Sequence, residues 1–170
     1  MSWTAPITWI FKQVWTASLF NQQIRDNLLY LKERPYDLAE LGSSNQGSIS
    51  TAWVKVTNSD LQIVVPVTGV LQFGWRFTFS HSVANNHLSV DIFDIDNNVY
   101  LSSGTATPTT GGIGRMSGVS TLATLHTGNF IKTGVSAGTH NYEFRVLAQA
   151  ASATLLNATA KNAVWVKEIA

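Results

Sequence analysis

Two hydrophobic periods divide this chain. Between Trp15 and Lys32, the residues Phe20, Ile24, Leu28 and Leu31 recur at steps of four, four and three, which lays one apolar stripe along a helix. Thr16 supplies an N-cap that accepts from the unpaired amides of the first turn. Pro35 stops the run, and Arg34 before it is biased away from helical geometry. From Thr51 onward the period is two. Leu71, Phe73, Trp75, Phe77 and Phe79 alternate with Gln72, Gly74, Arg76 and Thr78, a strand with one face buried and one wet.

Shorter alternating runs predict further strands at Thr51–Thr57, Leu61–Thr68, His87–Ile95, Val99–Ser102, Ser117–Leu125, Thr139–Ala148, Ala153–Ala158 and Ala163–Ile169. Turn signals separate them: Asn58-Ser59-Asp60, Asp96-Asn97-Asn98, Thr110-Gly111-Gly112 and Ser136-Ala137-Gly138. The expected fold is therefore mainly β, an antiparallel, jelly-roll-like β-sandwich of eight or nine strands. An extended aromatic arm and one α-helix precede it. The organisation reads as residues 1–34 for arm and helix, 35–50 as a linker without apolar period, and 51–170 as the sandwich domain.

The arm holds Trp3, Trp9, Phe11 and Trp15 among β-branched residues, with Pro6 interrupting. Half of the six tryptophans lie in it. A segment that aromatic either docks onto a partner surface or folds back on its own domain.

Composition narrows the function classes. The absence of cysteine excludes disulfides, thiol catalysis and cysteine-based zinc sites. A net charge of +1 gives no electrostatic argument for nucleic acid or an anionic membrane. No 18-residue apolar run predicts a membrane span, and the start Met1-Ser2-Trp3-Thr4-Ala5-Pro6 lacks the pattern of a secretion signal. Charge is uneven: eight of the 21 Asp, Glu, Lys and Arg residues fall in the first 40 positions. The remaining 130 residues carry only about 10% charge, against roughly 25% in ordinary domains. Such a surface suits packing on identical neighbours or contact with carbohydrate. An ordinary Thr/Ser-rich sandwich exterior has the same composition.

Candidate chemistry is sparse. Asp94-Ile95-Asp96-Asn97-Asn98, with Asp91 nearby, begins like a calcium loop, but Val99 stands where the turn glycine belongs and Thr105 where the glutamate belongs. A hairpin turn explains the segment better. His81, His87, His126 and His140 show no metal-pair spacing, and no nucleophile-elbow pattern accompanies them. Gly111-Gly112-Ile113-Gly114-Arg115 lacks phosphate-loop spacing and reads as a flexible loop. Asp26 and Glu33, with Arg25, Lys32 and Arg34, lie on a lone helix without a pocket. No enzyme, metal or cofactor is expected.

Written as heptads, Ala17, Ile24 and Leu31 share one core position of the helix, with Phe20 and Asn27 at the other. Two heptads are too short to hold a coiled coil alone, yet they zip when attached domains are already clustered. Asn27 would then set register. The alternative is a stripe that covers the chain's own sandwich.

The run Trp15-Thr16-Ala17…Leu19-Phe20-Asn21…Ile24-Arg25-Asp26-Asn27-Leu28…Leu31 resembles the N-terminal segment of small tailed-phage virion proteins, of the tail-fibre, minor structural or decoration type. Thr133–His140 leading into Tyr142–Val146, and the closing Ala163–Ile169, are similar to the glycine-rich turn and last strands of those proteins. The resemblance implies a homotrimeric virion protein, assembled in the host cytoplasm. Ala17, Phe20, Ile24, Asn27 and Leu31 would form the oligomerisation contacts, and Trp3, Trp9, Phe11 and Trp15 the attachment to other capsid or tail proteins. The expected partners are thus copies of itself and virion proteins, with a host-surface glycan as a further candidate. The competing expectation is a carbohydrate-binding adhesin in which Trp53, Trp75 or Tyr100 stacks on sugar rings.

Overall fold

The computed structural model describes residues 34–83, 86–109, 111–117, 123–149 and 153–169, together with Gln22, Ile24, Arg25 and Leu28. Twelve strands occur among these residues: β1 Tyr36–Glu40, β2 Gln46–Ile49, β3 Val54–Lys55, β4 Leu61–Val65, β5 Gly69–His81, β6 His87–Asp94, β7 Val99–Tyr100, β8 Gly114–Ser117, β9 Thr124–Val135, β10 Gly138–Ala148, β11 Ala153–Leu155 and β12 Ala163–Glu168. In the first sheet β1 pairs with β12 and β2 with β11; both β12 and β11 lie beside β5, whose other side pairs with β9. In the second sheet β3 and β4 pair with β10, β10 with β6, and β6 with β7 and β8.

Several short strands are halves of one row. Joining β1 with β2, β3 with β4, β7 with β8 and β11 with β12 leaves eight rows, four per sheet. In chain order the first sheet then runs 1-8-3-6 and the second 2-7-4-5, which is jelly-roll topology. All named strand pairs are antiparallel.

The core forms where β5 faces β10 and β6. Leu71, Phe73, Trp75, Phe77 and Phe79 all point inward, as their alternation requires. Phe73 meets Tyr142 edge-on at 4.8 Å between ring centres, and Phe77 meets Phe144 edge-on at 6.2 Å. These are the favoured geometries of aromatic pairs, each contributing about 0.5–1.5 kcal/mol beyond burial. Trp75 is core and not surface. Its ring needs a gap in the neighbouring strand, and Gly128 on β9 supplies it: a Cβ there would overlap the indole. On the opposite face of the same sheet, Gly74 makes room for Trp165 in the same way.

Residues 35–50 are not a linker. β1 and β2 form the edge of the first sheet, with Tyr36 opposite Lys167 and Glu40 opposite Ala163. Their pattern is inverted relative to an ordinary strand: Tyr36 and Leu38 face outward, while Asp37 and Ala39 face in. Asp37 Oδ2 accepts from the Gln62 amide at 2.7 Å and ties this edge to β4. Gly114 to Ser117 is strand β8 and not loop. The twelve-residue β9 lies mostly where no strand is predicted, because its inward positions are Thr124, His126, Gly128, Phe130 and Lys132.

Gln22, Ile24, Arg25 and Leu28 are helical, as the stripe predicts. The rest of the predicted helix, with Ala17, Phe20, Asn27 and Leu31, and the arm residues Trp3, Trp9, Phe11 and Trp15, lie outside the described residues.

Replacing Gly128 with Ala forces a methyl against a ring that has no room to move. Urea unfolding should show a loss of about 1–3 kcal/mol. Gly74→Ala should cost less, because the half-buried Trp165 can swing into solvent. Equal costs would contradict this packing.

Candidate functional site

The outer face of the first sheet carries several exposed large apolar side chains. Register places Leu38, Trp165, Gly74 and Asn129 in one row across β1, β12, β5 and β9. The next row holds Tyr36, Lys167, Gln72 and Ile131. Tyr36 is 56% exposed, Leu38 46%, Leu125 56% and Ile131 51%, all on this face. A single exposed leucine is ordinary, but several on one sheet face make that face a candidate contact surface.

The chain enters the sandwich at the same edge. Ile24 and Leu28, one turn apart, are both exposed. Pro35 O accepts from the Glu168 amide at 3.0 Å, so the chain joins the sandwich at the end of β12 and beside Tyr36. Of the residues expected to mediate oligomerisation, Ile24 is the one described, and it is solvent-facing within this chain.

The outer face of the second sheet is built differently. Arg145 lies over the Phe93 ring at 3.6 Å, donates through Nη1 to Tyr100 Oη at 2.7 Å and through Nε to Glu143 Oε1 at 2.6 Å. Lys55 bridges Glu143 at 3.2 Å and Asp60 at 2.5 Å. Trp53 packs 6.0 Å from Tyr100. This layer satisfies itself. Tyr100 is buried with its hydroxyl bonded to Arg145, so of the three aromatic residues considered for sugar stacking only Trp53 retains substantial exposure.

The acidic cluster is dispersed over separate partners. Asp91, fully buried, accepts from Ser102 Oγ at 2.5 Å and from the Ile92 amide at 2.8 Å, while burial pushes its pKa up. Asp94 accepts both the backbone and side-chain nitrogens of Asn97 at 3.0 Å, the bonding of a hairpin turn. Asp96 accepts twice from Asn141, which holds its pKa down. Among the described residues no group of three or more His, Asp and Glu side chains could hold a metal ion.

The histidines lie apart in the fold. His81 and His87 flank the connection between β5 and β6 at one end of the sandwich, and His140 sits at the start of β10 at the other. His126, on β9, packs 5.3 Å from Phe79. Among the described residues none of the four hydrogen-bonds to both a serine and a carboxylate. His81 is buried, and its Nδ1 accepts from the Val83 amide at 3.2 Å. The ring proton is therefore on Nε2, which has no hydrogen-bond partner among the described residues. No helix among the described residues is long and apolar enough to cross a membrane.

No family model matches this chain, and no curated protein matches it. Similar solved structures include that of infectious bursal disease virus Gt strain, at 12% identity and a TM-score of 0.45, covering 79% of this chain and 32% of that one. This chain thus spans about a third of the viral chain's length. Eiger TNF from S. frugiperda follows at 13% identity and a TM-score of 0.40, covering 81% and 94%. The carbohydrate binding module CBM6cm-2 from Cellvibrio mixtus lichenase 5A, in complex with cellotriose, gives 12% identity and a TM-score of 0.35, covering 79% and 98%. Likenesses this distant attach no function to the chain.

His81 makes a testable pH dependence. Burial is the main cause lowering its pKa below 6.5, with the neighbouring His87 adding to it. The folded state then binds this proton more weakly than the unfolded chain does. Its contribution to stability is full above pH 6.5 and is lost as pH falls toward the lowered value. Urea midpoints should therefore decline from pH 7 to pH 5, and His81→Leu should flatten the decline. An unchanged slope in that variant would contradict the burial of a neutral ring.

Proposed function

We propose that this chain is a non-enzymatic structural protein of a tailed-phage particle, a homotrimer on the capsid or tail. Its arm and helix attach it, and the jelly roll projects from the particle. The observation that carries this reading is the exposed apolar face of the first sheet, which adjoins the point where the helix joins the sandwich.

The magnitudes decide how the two surfaces share the work. Covering one half-exposed Leu, Ile or Tyr gains about 1 kcal/mol, so four of them supply about 4 kcal/mol per copy. Association costs about 4–15 kcal/mol. The sheet face alone does not hold copies together, and the helix alone is too short. Joined, the two become sufficient: the helices raise the local concentration at which the faces meet. Three copies related by a rotation axis would each present the same face and the same helix stripe.

The full chain should run as a trimer in multi-angle light scattering across a wide dilution range. A chain beginning at Arg34 keeps β1 whole; it should be monomeric, with an unchanged β-sheet spectrum, and should no longer enter particles. Leu38→Glu in the full chain should weaken the trimer without lowering the unfolding midpoint of the sandwich. A full chain that is monomeric at all concentrations would refute the reading.

A further inference from the structure

A sandwich places apolar side chains inward, and this one departs from that rule where β10 begins. Asp94 pairs with Tyr142 across β6 and β10, and His140 lies two residues before Tyr142 on the same face. That face is inward, since Tyr142 meets Phe73 in the core. From the opposite sheet, Lys132 pairs with Leu71 and is inward as well. Three ionisable side chains and a phenol thus converge between the sheets, where the periodicity calls for apolar residues.

They line a cleft of about 410 Å³ with Asn97, Leu101 and Val135. That is within the range of small-molecule sites, which combine an apolar lining with a few placed polar groups. Each group retains capacity. Asp94 takes two bonds from Asn97 and, as a carboxylate, accepts about four. The carbonyl of Ser136 accepts from His140 Nε2 at 2.8 Å, which leaves Nδ1 as the acceptor of the neutral tautomer. Lys132 has no ion-pair partner among the described residues, and Asn97 Oδ1 remains an acceptor. Burial first, then the charges of Asp94 and Asp96, push the Tyr142 phenol well above its ordinary pKa, so it stays a protonated donor.

We propose that this inter-sheet cleft binds a neutral, many-hydroxyl ligand of one or two sugar rings. The lining interleaves donors (Lys132, Tyr142) with acceptors (Asp94, His140, Asn97), and one positive charge balances one negative. Hydroxyl groups both donate and accept, so a polyol satisfies every one of these groups where a simple anion or cation leaves half of them opposed. The apolar patch from Leu101 and Val135 suits the C–H face of a sugar ring. The cleft is separate from the assembly face, so the two proposals fail independently.

The test is saturation-transfer NMR on the full chain with glucose, galactose, rhamnose and N-acetylglucosamine and their disaccharides as probes, and glycine and inorganic phosphate as controls. At least one sugar should give a signal that the controls do not. Lys132→Met and Tyr142→Phe, the latter keeping the ring against Phe73, should each weaken that binding about three- to tenfold. Absence of any sugar signal overturns the proposal. So does binding that both variants leave intact, or a control that binds as well as the sugars.

Discussion

The contact between the inward row of β5 and the rings of β10 is what the remaining architecture depends on. Phe73 on Tyr142 and Phe77 on Phe144 set the spacing of the two sheets, and Trp75 fills the gap toward β9. Once that spacing is fixed, every strand hydrogen-bonded to β5 or β10 has its inward face assigned, because side chains alternate strictly along a strand. Gly128 follows from it: an indole of that size leaves no volume for a Cβ on the neighbouring strand β9. The same constraint explains why β9 carries so few large inward side chains and still belongs to the sheet.

The three polar or apolar departures from a plain sandwich can be ranked by how completely they are satisfied. The Arg145–Glu143–Lys55 layer is closed on itself and serves to cover Phe93 and Tyr100. The outer face of the first sheet is the reverse case, with Tyr36, Leu38, Leu125 and Ile131 left in water. The cleft between Asp94, Lys132, His140 and Tyr142 is intermediate, with bonds made and bonding capacity left over. Unsatisfied surfaces are where partners or ligands act, so the first sheet's outer face and the cleft carry the functional reading.

The fold class was legible because β5, β6, β10 and β12 show strong alternation, and the eight-row count matches the expected eight or nine strands. The edges were not. In β1 the large residues Tyr36 and Leu38 point to solvent, so hydrophobicity there signals the outside of the sheet. In β9 a glycine and a lysine occupy inward positions for reasons that lie on other strands. The exposed apolar face was therefore hidden in a stretch read as linker and in a run without period. Lys132 carried no signal of its own, and His140 and Asp94 looked like strand-end and turn residues. Only pairing register, which depends on distant partners, brings them together. The helix was visible from its stripe, and its four described positions agree with it.

In the proposed assembly the outer face of the first sheet is covered when the chain carries its helix. Carbene footprinting reads this directly, by comparing label uptake at Tyr36, Leu38, Leu125 and Ile131 in the full chain and in a chain beginning at Arg34. All four should be strongly protected in the full chain and freely labelled in the shortened one, with Val64 on the second sheet labelled equally in both. Equal labelling of the four residues in the two chains would contradict it.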